Sequence, residues 1–446
     1  MLYLYRMLPT EILMVILAEL DYETLMSAKL VCKKWHDLIT RSVQLWKRLI
    51  REFCLQNQNM KQCLDMQIYK DIVSDSERLQ HLYRKLRRVE RNVQSNNYRV
   101  RTIDCLLAEA DGKKVEINSD WSRDHNYKGV YDMVLSKNVL VASVYDTIQI
   151  WDMARYKICN ILQSKMLDEP LSKTTCFTSV GDKYLVCGTQ DGDMKLFSLP
   201  AGDFLTKVKI NSNYFTDVCA HDGTVCSLDW YGGITMWEVR DTGGTVQLVR
   251  KSSEDQFIVP RILSNREHER LLDFTSDFLV TSYKCHLTCY NQSKFFRSYP
   301  ATTDIFCIRI QGSRLAFGCK GDNSNNYCSA GILNLDPSMF PAVIYLKTRD
   351  NDPIISIAFS GKFLILGDTN GELHLVNIEH LSFPTQGEVT VELWNDQNEF
   401  GVRPISTIRT HEYGSFIWAC KSDPYRIFSG DENGKIIVHD FLMFED

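Results

Sequence analysis

A repeated pair of short apolar runs is the feature that most constrains what this chain can fold into. Seven such pairs occur between residues 140 and 440, and a small or turn-proximal residue closes the first run of each pair. These closing residues are about 48 residues apart on average, and propeller repeats are about 40 to 45 residues long with insertions confined to loops. The closing residues are Ser143, Gly188, Leu228, Ser282, Gly318, Gly367 and Gly430.

Each repeat predicts a small antiparallel meander. The third-strand position that Trp151 occupies in the first repeat follows the closing residue by eight or nine residues in six of the repeats. The fifth repeat carries a polar stretch at 322–329 that predicts a hairpin insertion. Such a sheet has one face too apolar to stand alone, and stacking around an axis buries it. The sequence therefore predicts an all-β, seven-bladed propeller over residues 100–446. Its ring is expected to close with an upstream strand at 113–118, with 100–107 as the alternative.

The N-terminal part has helical rather than strand periodicity. Apolar residues between Leu8 and Leu20 recur at steps of three and four, which makes one helix stripe. Pro9 suits a first helical turn, and Asp21 and Ser42 are predicted to cap two further helices. We expect a small helical domain over residues 1–53. Its large apolar side chains either pack on each other or form a partner surface, and composition alone does not separate these alternatives.

A helical linker is predicted over residues 54–99. Apolar residues from Leu79 to Val93 recur at steps of three and four, beside a run of basic residues at 84–91. The favoured interpretation is a helix with one docked stripe and solvated charges. A nuclear-localisation signal is the minority interpretation.

Composition excludes several classes of protein. The formal net charge of −5 gives no global basic field for nucleic acid. Fifteen cysteines without framework spacing favour a reducing cytoplasmic or nuclear compartment. The apolar run at 12–18 is too short and too closely flanked by acids for a signal peptide, and no stretch approaches the ~20 apolar residues of a membrane span.

No catalytic constellation is found, so no enzyme activity, cofactor or metal is predicted. The segment 430–435 resembles a phosphate loop, but its glycines are one residue too close and it joins two strands. Cys285 and Cys289 share one face of a predicted strand, whereas His286 points to the other. A structural role is therefore favoured for all three.

Two resemblances add to this interpretation. The elements Leu8-Pro9, Val31 to Trp35 and Leu45-Trp46 occur in the order of an F-box, and residues 130–441 resemble WD repeats, although only Trp151-Asp152 preserves the Trp-Asp pair. The chain thus resembles the F-box/WD-repeat family of ubiquitin-ligase substrate receptors. The resemblance implies that an F-box docks on the Skp adaptor of a cullin–RING ligase. The residues expected to face the adaptor are Leu8, Pro9, Ile12, Leu13, Ile16 and Leu17.

The resemblance also implies a substrate face at one rim of the propeller. The residue one past the start of each inner strand, and the residue two past each closing residue, are expected there. Arg and aromatic residues dominate interface energetics, so a protein segment that is acidic or phosphorylated is the expected ligand. The candidates are Tyr131, Tyr145, Trp230, Arg270, Lys284, Phe306, Lys320 and Trp418.

The expected function is therefore a non-catalytic substrate receptor. An adaptor-bound scaffold acting outside ligase assembly is the alternative, and a propeller enzyme is disfavoured because it lacks inward carboxylates or metal ligands. Related receptors carry a dimerisation segment before the F-box. Only seven residues precede Leu8, so we expect no self-dimerisation.

Overall fold

The computed structural model contains two compact units. One is Met1–Tyr98 with Ser360–Lys362 and Phe441–Asp446, and the other is Arg99–Phe359 with Phe363–Asp440. The structure describes residues 9–56, 75–107, 109–110, 113–114, 129–144, 147–163, 174–209, 215–243, 245–251, 270–291, 294–301, 303–320, 329–338, 342–348, 352–384, 387–393, 400, 402–423 and 425–441.

The first unit is helical. Asp21 caps the second helix by accepting from the Thr24 amide at 2.8 Å, and the Ser42 hydroxyl accepts from Leu45 N at 3.3 Å, which confirms both predicted caps. Among the described residues, no helix is both long and apolar enough to cross a membrane. The helices are α1 (Thr10–Ala18), α2 (Tyr22–Lys29), α3 (Lys33–Arg41), α4 (Val43–Gln56) and α5 (Ser76–Gln94).

The core of this unit is built on aromatic rings. Trp46 of α4 is fully buried, and its indole N–H donates to the Ile39 carbonyl at 2.8 Å. The Tyr83 ring of α5 lies 6.2 Å from Trp46 and 5.0 Å from Tyr22. The stripe predicted for the linker helix therefore packs on the bundle, as its periodicity indicates.

The second unit is a seven-bladed propeller, as predicted. In blades 1 to 3 the strands run in chain order from the inner strand outward. Blade 1 contains β4 (Val130–Ser136), β5 (Val139–Val144), β6 (Thr147–Asp152) and β7 (Lys157–Gln163). Blade 2 contains β8 (Thr174–Val180), β9 (Tyr184–Thr189), β10 (Asp193–Ser198) and β11 (Phe204–Lys209). Blade 3 contains β12 (Phe215–His221), β13 (Thr224–Asp229), β14 (Ile234–Asp241) and β15 (Val246–Arg250).

Blades 4 to 7 complete the ring, and two of them borrow strands. Blade 4 contains β16 (Arg270–Phe274), β17 (Phe278–Tyr283), β18 (His286–Asn291) and β19 (Lys294–Pro300). Blade 5 contains β20 (Ile305–Gln311), β21 (Arg314–Cys319), β22 (Ala330–Asn334), β23 (Ala342–Lys347) and β27 (Gly387–Glu392). Blade 6 contains β24 (Ile354–Ser360), β25 (Phe363–Asp368), β26 (Glu372–Asn377) and β28 (Arg403–Arg409). Blade 7 contains β29 (Ile417–Ser422), β30 (Arg426–Asp431), β31 (Lys435–Asp440) and β1 (Arg99–Asp104).

The strand that closes the propeller ring is not the one that the sequence favoured. Strand β1 pairs antiparallel with β31 from Arg99↔Asp440 to Asp104↔Lys435. Residues 113–118 are therefore not the closing strand, and the alternative at 100–107 is correct. Lys113–Lys114 (β3) instead pairs with Glu109–Ala110 (β2) in a two-residue ladder. The rest of the 113–118 segment, and residues 322–328 of the insertion predicted at 322–329, lie outside the described residues.

Blade 5 carries a fifth strand that the sequence did not predict. Strand β27 belongs to the connection between β26 and β28 of blade 6, yet it pairs in parallel with β23 of blade 5. Val391 and Leu393 of this segment, together with Val402, are buried in the cluster that also holds Ile354 and Leu364 of blade 6. The connection thus ties two neighbouring blades together at their outer edges.

Candidate functional site

The helical unit exposes an apolar surface. Each of two successive turns of α1 contributes one buried and one exposed residue of the predicted stripe. Leu13 and Leu17 are fully buried, whereas Ile12 and Ile16 are 48% and 38% exposed. Pro9 is exposed, and Leu8 lies outside the described residues. Three further large apolar side chains that the predicted set omitted are exposed in the same unit, namely Val15, Leu30 and Val31. We define Ile12, Val15, Ile16, Leu30 and Val31 as the helical apolar surface.

The start of the inner strands defines one rim of the propeller. In blades 1, 5 and 7 the second residue of the inner strand is a β-bulge, which leaves it without a directly paired residue. These bulge residues are Tyr131, Phe306 and Trp418. A bulge re-aims its side chain, which explains why aromatic residues stand at the beginning of otherwise regular strands. In these three blades the residue one past the predicted start of the inner strand is thus a bulge residue.

Two lysines flank one of these bulges. The Ile305 amide donates to the Lys284 carbonyl at 3.0 Å, and the Lys320 amide donates to the Asp304 carbonyl at 3.0 Å. Phe306 is 40% exposed between them. The Lys284 ammonium lies 5.9 Å from the centre of the Tyr283 ring. The structure thus brings Lys284, Phe306 and Lys320 together, and we define these three as the basic patch.

An aromatic arc crosses from blade 7 to blade 1. The Trp418 ring lies 5.5 Å from Phe416 and 6.4 Å from Tyr131. The Trp418 indole N–H is shielded from solvent, and no hydrogen-bond acceptor for it is present among the residues that the structure describes. We define Phe416, Trp418 and Tyr131 as the aromatic patch. Phe416 was not in the predicted set, because it precedes the strand that the repeat alignment identified.

The remaining candidates are distributed differently. Trp230 is half-buried in blade 3 and belongs to neither patch. The backbone of Arg270 pairs with Tyr283, next to Lys284, but its side chain lies outside what the structure describes. Tyr145 also lies outside the described residues. A substrate-binding role stays a prediction for every member of the set.

Five charged side chains from five inner strands face one another across the channel. Asp217 accepts from the Leu272 amide of the next blade at 2.8 Å, and Asp273 accepts from the Ile310 amide of the blade after that at 2.6 Å. Lys421 lies 3.8 Å from Asp132, and Arg309 interacts electrostatically with Asp273, Asp132 and Asp217. The two bridging carboxylates thus satisfy backbone N–H groups on inner strands that have no further strand to pair with.

Burial perturbs the protonation of this channel cluster. It raises the pKa of Asp217 to about 7, although hydrogen bonds and Arg309 act in the opposite direction. Burial and the positive charge of Arg309 together lower the pKa of Lys421 to about 8, although the three aspartates act in the opposite direction. These residues could not be predicted from the sequence, because single charges in alternating strands are typical of exposed positions.

Acidic residues organise the turn after the second strand in three blades. The acids that organise the second turn of the blade directly follow the closing residue, as Asp229, Asp368 and Asp431. Asp431 accepts from the Lys435 amide at 2.8 Å and pairs with His411 at 3.0 Å.

A buried network in blade 7 depends on this turn. His411 Nδ1 lies 3.0 Å from Asp431, and its Nε2 lies 2.9 Å from the Ser429 hydroxyl. Burial alone would raise the pKa of Asp431, but the hydrogen bond from His411 and two backbone amides lower it. The adjacent His439 occupies the third-strand position, and burial together with His411 lowers its pKa to about 4. The network therefore locks the incoming loop onto the blade.

Replacing Asp431 tests the strength of this lock. We expect Asp431→Ala to reduce the free energy of unfolding by about 3 kcal/mol, because His411 and two amides lose their acceptor inside the blade. Urea denaturation followed by tryptophan fluorescence measures the change. Asp191→Ala is the matched control, since Asp191 is exposed in the corresponding turn of blade 2 and should change stability by less than about 0.5 kcal/mol. Equal effects of the two variants would contradict the lock.

One histidine–carboxylate group has metal-like spacing. The ligand atoms of Asp368, Glu372 and His374 lie within 4.8 Å of one another. His374 is bonded to Asp368 at 3.0 Å and to Thr407 at 3.0 Å, and Glu372 pairs with Arg409 at 2.9 Å. The polar groups of these three side chains therefore have protein partners, and we interpret them as a hydrogen-bond network within the blade.

Comparison with known proteins bears on the N-terminal unit and the fold. The model of the F-box-like family matches residues 6–52. A search of curated proteins found no match. Among solved structures, the designed protein Ika8 is 16% identical with a TM-score of 0.48, and covers 71% of this chain and 97% of its own. The β-propeller domain of Cps50 (Swd1) from Myceliophteria thermophila is 14% identical with a TM-score of 0.48, over 70% of this chain and 96% of its own.

These solved structures carry no information on function at such low identity. The architecture of the chain itself is clear from the matched family and the sheet topology. An F-box-like segment at residues 6–52 precedes seven four- or five-stranded blades in a closed ring. By its domain architecture the chain thus combines an F-box-like segment with a seven-bladed β-propeller.

Proposed function

We propose that this chain is the substrate-recognition subunit of a Skp–cullin–F-box ubiquitin ligase. The F-box-like helices dock on the Skp adaptor, and the propeller rim holds the protein to be ubiquitinated. The chain itself performs no chemistry, because the cullin-bound RING and conjugating enzymes carry out the transfer. Cytoplasm and nucleus are the compartments in which such an assembly acts. The adaptor-bound chain is expected to be a monomer.

The helical apolar surface is the observation that carries this proposal. Five large aliphatic side chains stand exposed within about twenty residues of one small bundle, inside the segment that matches the F-box-like family. A folded domain rarely exposes five large aliphatic side chains in so short a segment unless a partner covers them. Leu13 and Leu17, which the sequence placed at the adaptor, instead support Ile12 and Ile16 from inside the bundle.

Charge placed on this surface tests adaptor docking. We expect Ile12→Asp with Ile16→Asp to abolish capture of the Skp adaptor, because two carboxylates would be buried at the interface without partners, at several kcal/mol each. The residues are exposed, so the far-UV circular dichroism spectrum should not change. A pull-down with purified adaptor gives the measurement. Adaptor capture at the wild-type level would refute F-box docking.

A matched control comes from the propeller. Phe204 is 44% exposed in blade 2, which is close to the exposure of Ile12. Phe204→Asp should therefore leave adaptor capture intact, although it places the same charge on a similarly exposed apolar residue. Loss of capture in this control would indicate a nonspecific effect of surface charge.

Cullin co-purification separates a ligase receptor from an adaptor-bound scaffold. Affinity-purified chain should bring down cullin and RING subunits together with the adaptor. The double variant Ile12→Asp/Ile16→Asp should lose all three together. Adaptor without cullin would favour the scaffold and reject the receptor proposal.

A further inference from the structure

The aromatic patch presents three rings that are tilted against one another. The Trp418 ring makes an angle of 59° with the Phe416 ring and of 48° with the Tyr131 ring, and all three residues are half-buried. Because tilted rings do not cover one another as stacked rings do, parts of their faces stay open to a ligand. The face of an aromatic ring carries partial negative charge and attracts cations, and Trp attracts them most strongly. The patch therefore has the chemistry of a cation site.

Close backbone packing between blades 1 and 7 holds Tyr131 at the patch. A Cβ atom at Gly129 would lie 2.6 Å from Glu432 Cα and 2.9 Å from the Asp431 carbonyl oxygen, so a side chain at 129 would push the two blades apart. Two residues later, the bulge at Tyr131 turns its ring out of the regular strand. The same close approach brings the backbone of Glu432 to the start of blade 1.

Glu432 borders the patch and has no cationic partner. Its backbone N–H donates to the Phe416 carbonyl at 3.2 Å. Burial raises the pKa of the Glu432 carboxyl, and the neighbouring Asp431 raises it as well, although a hydrogen bond with the Phe416 backbone lowers it. Within the described ranges Glu432 forms no ion pair. Partial burial beside a second acid destabilises the carboxylate, and a bound cation would stabilise it.

The lysines of blade 7 do not neutralise Glu432, because both pair with other carboxylates. Lys435 lies 3.1 Å from Glu412, and Lys421 lies 3.8 Å from Asp132. The Asp132 side chain is 41% exposed and directly follows Tyr131, so the chain places a second acid next to the aromatic patch. Ring faces and carboxylates therefore attract a cation to the same point.

We propose that the aromatic patch and Glu432 bind a methylated lysine side chain of a partner protein. Its methyl groups pack on the three rings, and its positive charge interacts with the ring faces and with the Glu432 carboxylate. Aromatic rings gathered around a methylated ammonium are a recurrent means of recognising this modification. The inference rests on the proposed function in one respect, since the methylated side chain belongs to the bound protein.

An unmodified cation fits this site less well. Lysine brings three N–H donors and a strong hydration shell, and arginine brings five donors in a rigid fork. Aromatic faces satisfy such donors poorly, and the Glu432 carboxylate already has a hydrogen bond with the Phe416 backbone. Methylation keeps the charge of lysine, and trimethylation removes every N–H donor. A trimethylated lysine therefore enters the patch without leaving donors unsatisfied.

Peptides that differ in one side chain test the chemistry of the ligand. The probes are short fluorescein-labelled peptides of Gly and Ser with one central residue. That residue is trimethyllysine, lysine, arginine or a neutral trimethyllysine analogue with carbon in place of the ammonium nitrogen. Fluorescence anisotropy with the full-length chain measures affinity, and we expect trimethyllysine to bind roughly tenfold more tightly than each of the other three. Equal affinity for trimethyllysine and any of the others, or no binding at all, would overturn the proposal.

Substitutions in the chain separate the rings from the carboxylate. Trp418→Leu keeps an apolar side chain but removes the central ring, and should weaken the trimethyllysine peptide roughly tenfold. Phe416→Leu is the second ring variant, for use if Trp418→Leu does not fold, with an expected loss of about fivefold. Glu432→Gln should weaken trimethyllysine by about fivefold and leave the neutral analogue unchanged. An undiminished preference for trimethyllysine in these variants would reject the site.

Glu372→Gln is the matched control for Glu432→Gln. Glu372 is also half-buried, begins β26 of blade 6 and pairs with Arg409 at 2.9 Å. Its replacement changes the charge of the propeller by the same amount and should leave the affinity for trimethyllysine unchanged. Equal losses in the two variants would show that only general charge attraction is present, and the proposal would fail.

Adaptor and cullin capture, measured on the same protein, keeps this inference separate from the proposed function. If capture persists while no peptide is preferred, the methyllysine site is rejected and the receptor proposal is not. If wild-type chain captures no adaptor but still prefers trimethyllysine, the site stands and the receptor proposal is rejected.

Discussion

A fragment that begins at residue 96 should melt as one cooperative β-rich domain, whereas one that begins at residue 105 should not. The second fragment lacks β1, which forms a six-residue ladder with β31. Without it, blade 7 has three strands, and β31 becomes an open edge whose backbone groups can pair with other chains. Circular dichroism during heating, together with light scattering, provides the measurement. We expect the shorter fragment to lose its cooperative transition and to associate.

A single substitution gives the matched control for this truncation. Arg101→Pro within the longer fragment removes one N–H that faces β31 in the ladder and cannot sit in a paired strand, so it should lower the melting temperature without removing the segment. Arg101 is exposed, so no core contact is lost with its side chain apart from the one between its guanidinium and the Tyr156 ring. A shorter fragment that melts as sharply and at the same temperature as the longer one would show that β1 does not hold the ring closed.

The closing strand β1 shows one kind of strand that hydrophobic patterns in the sequence do not identify. Its first four residues are exposed, and Ile103 is the one buried side chain of β1. An outer strand of this kind is selected for its backbone hydrogen bonds rather than for an apolar face. Hydrophobic alternation therefore cannot identify it. The inner strands differ, because β12, β20, β24 and β29 begin at the residues that counting back from the closing residues predicted.

The F-box-like helices illustrate a second limit. A helix stripe with apolar residues at consecutive positions is wider than the contact that one small bundle can bury. The sequence showed that residues 12, 13, 16 and 17 share a side of α1, but not which pair points inward. The packing of α1 within the bundle decides that Leu13 and Leu17 are internal. The exposure of Leu30 and Val31 likewise depends on tertiary structure.

The rim was partly predictable for a physical reason. In blades 1, 5 and 7 the bulge lies twelve residues before the closing residue of the same blade, so counting reached Tyr131, Phe306 and Trp418. In blade 2 the bulge at Thr175 lies thirteen residues before Gly188, and the same count misses it. The channel charges could not be found in this way. Asp217 and Arg309 interact because the propeller ring brings their strands close together. No local pattern relates residues that are 92 positions apart.

Stability should fall between about pH 4 and pH 7 because of Asp217. Its pKa rises from 3.8 to about 7 on folding, with burial as the main cause. The folded state therefore binds the proton more tightly than the unfolded state, so raising the pH through this window favours unfolding. At about 1.4 kcal/mol for each pKa unit, the full loss above pH 7 is on the order of 4 kcal/mol. Lys421, with its pKa lowered to about 8, contributes a change only above that window.

Asp217→Asn removes this titration, so comparing the variant with the wild type separates the contribution of Asp217 from that of its neighbours. The amide oxygen can accept from one of the two backbone amides that the carboxylate serves, so the variant carries a constant offset at every pH. The stability difference between variant and wild type should nevertheless grow in favour of the variant from pH 4 to pH 8. Urea denaturation of the fragment that begins at residue 96 measures this difference. The exposed carboxylate Asp277 supplies the control Asp277→Asn, for which the difference should stay flat.

A flat difference for Asp217→Asn would mean that water or a neighbouring charge keeps this carboxylate ionised in the folded channel. The bridge to Leu272 would then be an ordinary solvated contact. A rising difference would instead show that the ring keeps a partly protonated acid because that acid joins blade 3 to blade 4. Arg309 separates these cases further, because Arg309→Met removes a cation that lowers the pKa of Asp217. The titration of Asp217 should then move to higher pH, and the loss of stability should extend beyond pH 7.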